Sequence, residues 1–261
     1  MKILFTICAR AGSKGVKSKN ARDFCGYPIL YSTLSAFDLY CTRFGAEHEI
    51  TLALNTDSDV VISQARRSIV PVVIVKREES LAGDFAPKIS VIADTLQKVE
   101  TMKQDTFDLV VDMDLTSPLR KVEDISNIIS AALDNPACDL ALSVTGSRRN
   151  PYFNLFSLGD DGLLHIAIPS NYVARQQAPQ VFDANASLYA YKPYYLKNND
   201  GVILHANISY AVMKDTAVLD IDSEEDYEMM GMIGDYLYAH DPLFAEVHDH
   251  IKDILKIPED S

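Results

Sequence analysis

The side chains best suited to chemistry gather near the start of the chain. An apolar run from Ile3 to Ala9 leads into Arg10, Lys14, Lys17 and Lys19, interleaved with Gly12, Ser13, Gly15 and Ser18 and closed by Asn20. Small residues let a backbone approach a ligand closely and turn its N–H groups inward. Four cations within ten residues, in a chain of net charge −13, suit a polyphosphate. The competing reading is a solvated basic turn. Two phosphate motifs are absent. A Walker loop needs Gly-Lys-Ser/Thr at a fixed distance from its first Gly, and Lys17-Ser18 lacks that Gly. The dinucleotide fingerprint needs three Gly, and only Gly12 and Gly15 are present.

Two acidic groups follow. Asp112 and Asp114 end the apolar run that includes Val110 and Val111, and strand alternation points both to the same side of a sheet. A strand-end Asp can also simply cap a turn. Asp220 and Asp222 flank Ile221, which is expected to face the core from a strand end. Ser223 with Asp226 then makes a capping-box-like helix start. Two adjacent carboxylates without a neighbouring cation suit Mg²⁺, which prefers oxygen ligands and phosphate, although a solvated cap would have the same composition. None of the six His lies in these segments, and no Ser has a matched His and Asp at a recognisable spacing.

At 261 residues the chain is long enough for one large α/β domain, or one domain with a small lobe. Its acidic balance argues against nucleic acid or an anionic membrane as partner, and it requires any anion site to be built locally. No apolar run approaches ~18 residues, so no membrane-spanning helix is expected. The run after Lys2 is too short for a signal peptide and is followed at once by Arg10, so a first strand is expected. Cys8, Cys25, Cys41 and Cys138 lack paired metal-ligand spacing and read as reduced structural thiols of a cytoplasmic protein.

The elements that must position these groups alternate in type. Residues 2–9, 49–55, 71–76, 108–114 and 140–145 read as buried strands, and 28–43, 58–68, 88–103 and 122–134 as helices. Asp57-Ser58-Asp59 can cap the second helix, and Asp134-Asn135-Pro136 ends the fourth. This alternation predicts an α/β fold with a mainly parallel sheet covered on both faces and a ligand beyond the carboxyl ends of its strands. After residue 146 the rhythm changes. Gly159 to Gly162 reads as a hairpin turn, 181–192 as a strand with small residues at its centre, 209–213 as another strand, Ser223 to His240 as a helix, and 241–261 as one more amphipathic helix with a polar end.

Taken together, these segments resemble the N-acylneuraminate cytidylyltransferases, which make CMP-activated nonulosonic acids. Arg10, Ser13, Lys14, Gly15, Lys19 and Asn20 fall on that family's first signature, and Thr116-Ser117-Pro118-Leu119-Arg120 on a second. The resemblance implies a Rossmann-like sheet of the nucleotide-diphospho-sugar transferase type. It implies that Arg10, Gly12, Ser13, Lys14, Gly15, Lys19 and Asn20 wrap the CTP triphosphate, with Arg77 near the nucleotide and Asp84 in a loop over it. Arg10, Lys14, Lys19 and Asp222 would carry catalysis. Asp220 and Asp222 would hold Mg²⁺, with Asp114 as a possible further ligand. Asp114, Thr116, Ser117, Arg175, Gln176 and Tyr152 would contact the sugar, so Asp114 has two open roles.

The same resemblance implies a single cytidylyltransferase domain over residues 1–261. Residues of about 150–192 would form a dimerisation and sugar-binding extension, and the protein would be a homodimer. Its partners would be CTP and a nonulosonic acid. Asp114 stands where most neuraminate enzymes have Gln, Leu115 where they have Pro and Ala174 where many have Arg, and a Lys near Phe153 is missing. These departures resemble the Kdo cytidylyltransferases and, with Asn150-Pro151-Tyr152-Phe153-Asn154, the CMP-legionaminic acid synthases. A legionaminate-like acceptor is therefore expected. The alternatives are N-acetylneuraminate and, from a different class, a non-catalytic nucleotide-binding module on the same fold.

Overall fold

The computed structural model describes residues 1–12, 15–83, 86–198, 201–216 and 220–256. The elements run β1 (Lys2–Ala9), β2 (Asp23–Phe24), β3 (Tyr27–Pro28), α1 (Ile29–Phe44), β4 (Glu49–Thr56), α2 (Asp59–Arg66), β5 (Val73–Lys76), α3 (Lys88–Lys103), β6 (Leu109–Met113), α4 (Val122–Leu133) and β7 (Leu140–Gly146). The second half adds β8 (Phe156–Leu158), β9 (Leu164–Ile166), β10 (Phe182–Tyr191), α5 (Pro193–Asn198), β11 (Ile208–Val212), α6 (Glu224–His240), α7 (Pro242–Asp249) and α8 (Ile251–Ile254).

Seven strands form one sheet in the order β11-β7-β10-β6-β1-β4-β5. β1 pairs in parallel with β4 and β6, β4 with β5, and β7 with β11. β10 is antiparallel to both β6 and β7. The strands buried on both faces are the near-continuous apolar runs, as parallel pairing requires. On one face Phe5 and Ile7 join a core with Leu34 and Phe37 of α1 and Ile125 of α4; on the other Leu4 and Val110 share a core with Ile92 and Leu96 of α3. A third cluster joins the opening loop to α6, with Val16, Phe24, Leu119, Ile221, Met230 and Leu237 in one core.

Every strand and helix expected before residue 146 is present, with ends within two residues of expectation. Ser58 caps α2 by accepting from the Val61 N–H at 3.3 Å, and Asp134 is the C-cap of α4. Three differences have local causes. Residues 220–222 are irregular chain with a bend at Asp220 and not a strand end; the Ile221 N–H donates to Thr116 O at 2.9 Å instead of to a sheet neighbour. The tail holds two helices, α7 and α8, separated at His250. The small residues of 181–192 serve a β-bulge: the register of β10 shifts between Ala184 and Tyr189, and Ala186 has φ 55, in the left-handed region. The bulge sets Ser187 O to accept the Asp114 N–H at 3.0 Å, so it holds the end of β6.

Candidate active site

The opening loop leaves β1 at its carboxyl end, where the parallel strands β1, β4, β5 and β6 all terminate. Ligands bind at such ends in open α/β sheets. A cleft of about 230 Å³ lies there, lined by Arg10, Lys19, Asn20, Arg77, Lys88 and Asp114 among others. Gly12 is exposed, and Ser13 and Lys14 lie outside the described residues, as does Asp84.

The loop is tied down at three points. Buried Asn20 donates from Nδ2 to Arg10 O at 3.0 Å. The Ala11 N–H donates to Asp57 Oδ1 at 2.7 Å. Lys19 Nζ donates to Ile221 O at 2.5 Å and to Asp222 Oδ1 at 3.0 Å. Basic loop and distant acidic segment therefore meet at one wall of the cleft. Asp222 is mostly exposed, with its side chain 73% accessible. Asp220 is half-buried, and its carboxyl is raised by burial and by the charges of Asp222 and Asp114, which Lys19 only partly offsets. Ser223 and Asp226 form the expected capping box, with Asp226 N to Ser223 Oγ at 3.1 Å and Ser223 N to Asp226 Oδ2 at 2.8 Å. Asp226 is thereby spent on the helix.

Arg77 is buried beside the cleft. Its Nε donates to Asn55 Oδ1 at 2.9 Å and its Nη2 to Asn55 O at 3.3 Å. Asn55 in turn donates to Thr95 Oγ1 at 2.9 Å, so α3 fixes the guanidinium through a side-chain relay.

Asp112 and Asp114 do face the same way. Lys88, the first residue of α3, places its Nζ 2.7 Å from Asp112 Oδ2 and 2.5 Å from Asp114 Oδ2. Asp112 is wholly buried and also accepts from Thr6 Oγ1 at 2.7 Å. The second oxygen of Asp114, Oδ1, accepts from the N–H and the hydroxyl of Thr116, both at 2.7 Å. Burial acts to raise the Asp114 carboxyl, but Lys88 and Thr116 outweigh it and bring it to about 2. Burial likewise acts to lower Lys88, and the two carboxylates outweigh it and hold it well above its ordinary value. Buried Arg120 reaches the Asp114 main-chain oxygen and, at 2.7 Å, that of Ser117. Burial pulls it down to about 10, so it stays protonated at neutral pH.

Lys88, Asn55 and the function of Arg120 were not legible as site features. The one available signal for Lys88 was a lysine at a helix N-terminus, where the macrodipole disfavours a cation unless carboxylates face it. Arg175, Gln176 and Tyr152 stand apart from this cleft. Arg175 lies exposed in a single turn, Arg175–Gln177, and donates to Ser147 O at 2.8 Å. Gln176 is also exposed, and Tyr152 stacks edge-on to Tyr172 at 6.2 Å. Among the described residues no cluster of three or more His, Cys, Asp or Glu could hold a metal ion. The expectation that no cation neighbours the acidic pair is corrected by Lys19, 3.0 Å from Asp222 Oδ1. The chemistry of the two carboxylates remains that of a Mg²⁺ ligand pair, since this ion commonly takes one or two carboxylates and completes its shell with water and phosphate. No helix of the described residues is long and apolar enough to cross a membrane.

No family model matches the chain. The chain is 35% identical over 229 residues to CMP-N,N'-diacetyllegionaminic acid synthase of Campylobacter jejuni, covering 87% of this chain and 93% of that protein. The identity and coverage are the same with post-translational flagellin modification protein B of Campylobacter coli. Among solved structures, CMP:2-keto-3-deoxy-manno-octonic acid synthetase complexed with CTP superposes with a TM-score of 0.64 at 14% identity, over 90% of this chain and 99% of that one, a likeness of fold. With 35% identity across nearly the whole of these relatives, the chain belongs to the N-acylneuraminate cytidylyltransferase family of nucleotidyltransferases.

Proposed function

We propose that the protein joins CMP from CTP to the anomeric hydroxyl of a nonulosonic acid and releases pyrophosphate, with a legionaminate-like 5,7-diamido sugar as acceptor. The observation that carries this reading is the meeting of Lys19 with Ile221 and Asp222 at the cleft. It brings a cation of the basic loop onto the acidic Asp220–Asp222 segment beside the strand ends, which supports reading the two as a triphosphate and metal site. Attack on the α-phosphorus in line with the departing pyrophosphate depends on positioning and charge neutralisation. Arg10 and Lys19, with Lys14, hold the triphosphate and stabilise charge on the pyrophosphate. Asn20 fixes the turn that carries them, and Arg77 borders the nucleotide. Asp220 and Asp222 hold Mg²⁺. When bound, the ion neutralises phosphate charge and makes the attacking hydroxyl more acidic.

Arg175, Gln176 and Tyr152 serve the sugar from a second subunit, because they stand apart from the cleft of their own chain. An Arg can hold the sugar carboxylate through two parallel charge-assisted bonds. The excursion around them exposes Phe156, Leu158, Leu164 and Val173, an apolar face suited to a homodimer. The choice of sugar rests on Asp114 and on the identity with the legionaminic acid synthase. Pyrophosphate release from CTP, assayed with N,N'-diacetyllegionaminic acid, N-acetylneuraminic acid and Kdo side by side, tests it. The highest kcat/KM should fall on the diamido sugar, and equal or better use of N-acetylneuraminic acid would contradict that choice.

A further inference from the structure

We propose that Lys88 and Asp114 act as one charge-balanced donor–acceptor unit that positions the acceptor sugar, an assignment that rests on the cytidylyltransferase reading above. Lys88 lines the cleft while its ammonium lies between Asp112 and Asp114 at 2.7 and 2.5 Å. An ammonium has three donors. One is given to Asp114 Oδ2, Asp112 Oδ2 lies within ion-pair distance, and the ammonium also faces the Tyr189 ring at 5.4 Å, so donor capacity remains for a ligand in the cleft. Asp114 also lines the cleft, and its Oδ1 is fixed by Thr116 at 2.7 Å from both the N–H and the hydroxyl. A carboxylate oxygen has further acceptor capacity. Donor and acceptor thus sit side by side, each immobilised by protein groups.

The charge sum of this wall selects the ligand. Asp112 and Asp114 contribute two negative charges, and Lys88 and Arg120 two positive ones, with Arg120 bonded to the Asp114 main chain. A neutral group of side chains offers a triphosphate little, whereas Arg10, Lys19 and Arg77, which line the same cleft, offer it positive charge. It suits neutral hydroxyl and amide groups, which both donate and accept. Lys88 also removes a conflict: a lone ionised Asp114 would repel the carboxylate of a sugar acid, and the paired one does not. Both oxygens of Asp114 are engaged, Oδ2 by Lys88 and Oδ1 by Thr116, whereas Asp222 is 73% accessible and pairs through one oxygen, so the metal role is assigned to Asp220 and Asp222.

The deciding variant is the double substitution Lys88→Met with Asp114→Asn. It keeps the charge sum at zero, since Asp112 and Arg120 remain, but it abolishes the unit. Lys88→Met alone strands two carboxylates, and the double variant still strands buried Asp112. Asp114→Asn, which keeps Lys88 on Asp112, is therefore measured beside it and must raise the sugar KM in the same direction, with thermal midpoints as the check on folding. Steady-state kinetics with N,N'-diacetyllegionaminic acid should show a sugar KM raised about tenfold or more, with kcat, the CTP KM and the Mg²⁺ midpoint each within about threefold of wild type. A folded double variant with wild-type sugar KM would overturn the assignment. So would a rise confined to the CTP KM or the Mg²⁺ midpoint. Failure of the cytidylyltransferase reading looks different: wild-type protein then releases no pyrophosphate with any sugar acid, and this assignment falls with it.

Discussion

Gly15 lies against the main-chain carbonyl of Asp222, so close that a Cβ on Gly15 would stand 1.7 Å from that oxygen. The loop that carries Arg10 and Lys19 is thus seated directly on the segment that carries Asp220 and Asp222. Glycine is needed here for close approach and not for an unusual φ. Gly15→Ala must push the two segments apart and carry Lys19 away from Ile221 and Asp222. The expected result is a CTP affinity reduced about tenfold or more, roughly 1.4 kcal/mol. Isothermal titration with CTP and Mg²⁺ checks this, and wild-type affinity would show that the contact is dispensable.

Asp222→Ala should keep the fold, because the side chain is exposed and its ion pair with Lys19 is a surface contact. Activity should fall by about two orders of magnitude, the scale of losing an electrostatic partner of the transition state. Circular dichroism and pyrophosphate release at saturating Mg²⁺ test the two halves. Activity within about threefold of wild type would remove Asp222 from the metal site.

The four cysteines should be slow towards alkylating reagents at neutral pH. All are free thiols. Burial pushes Cys25 and Cys41 each up to about 12, and it raises Cys8 and Cys138 as well. Since the thiolate is the nucleophile, native protein at pH 7 should bind iodoacetamide far more slowly than the urea-unfolded chain, with the rate climbing as pH rises. Mass spectrometry counts the adducts, and rapid labelling of Cys8 in the folded protein would contradict the burial of the cleft floor.

Assembly has its own test. If the face bearing Phe156, Leu158, Leu164 and Val173 joins two copies, light scattering should give twice the chain mass at micromolar concentration. Leu158→Glu together with Val173→Glu should give monomers with a raised sugar KM, because Arg175 and Gln176 then lack the other subunit's cleft. A fully active monomer would refute the shared site.

Much of this was legible in the sequence, for physical reasons. Doubly buried strands are continuous apolar runs, so β1, β4 and β6 could be placed to within a residue or two. The alternation rule put Asp112 and Asp114 on one side, and Lys88 meets both. The capping box at Ser223 follows from local spacing alone. What could not be read depends on distant partners. The antiparallel insertion of β10 between β6 and β7 is a choice of pairing that no local pattern encodes. Lys88 is separated from Asp114 by 26 residues, so only the packing of α3 against the sheet brings it to the cleft. Arg77 was visible, but the Asn55–Thr95 relay that holds it was not.

The most direct measurement is pyrophosphate release from CTP in the presence of Mg²⁺ and N,N'-diacetyllegionaminic acid, with the CMP-sugar identified by mass spectrometry. The predicted result is stoichiometric pyrophosphate and CMP-sugar, dependent on all three components. Pyrophosphate formed without the sugar, or no product with any nonulosonic acid, would contradict the account.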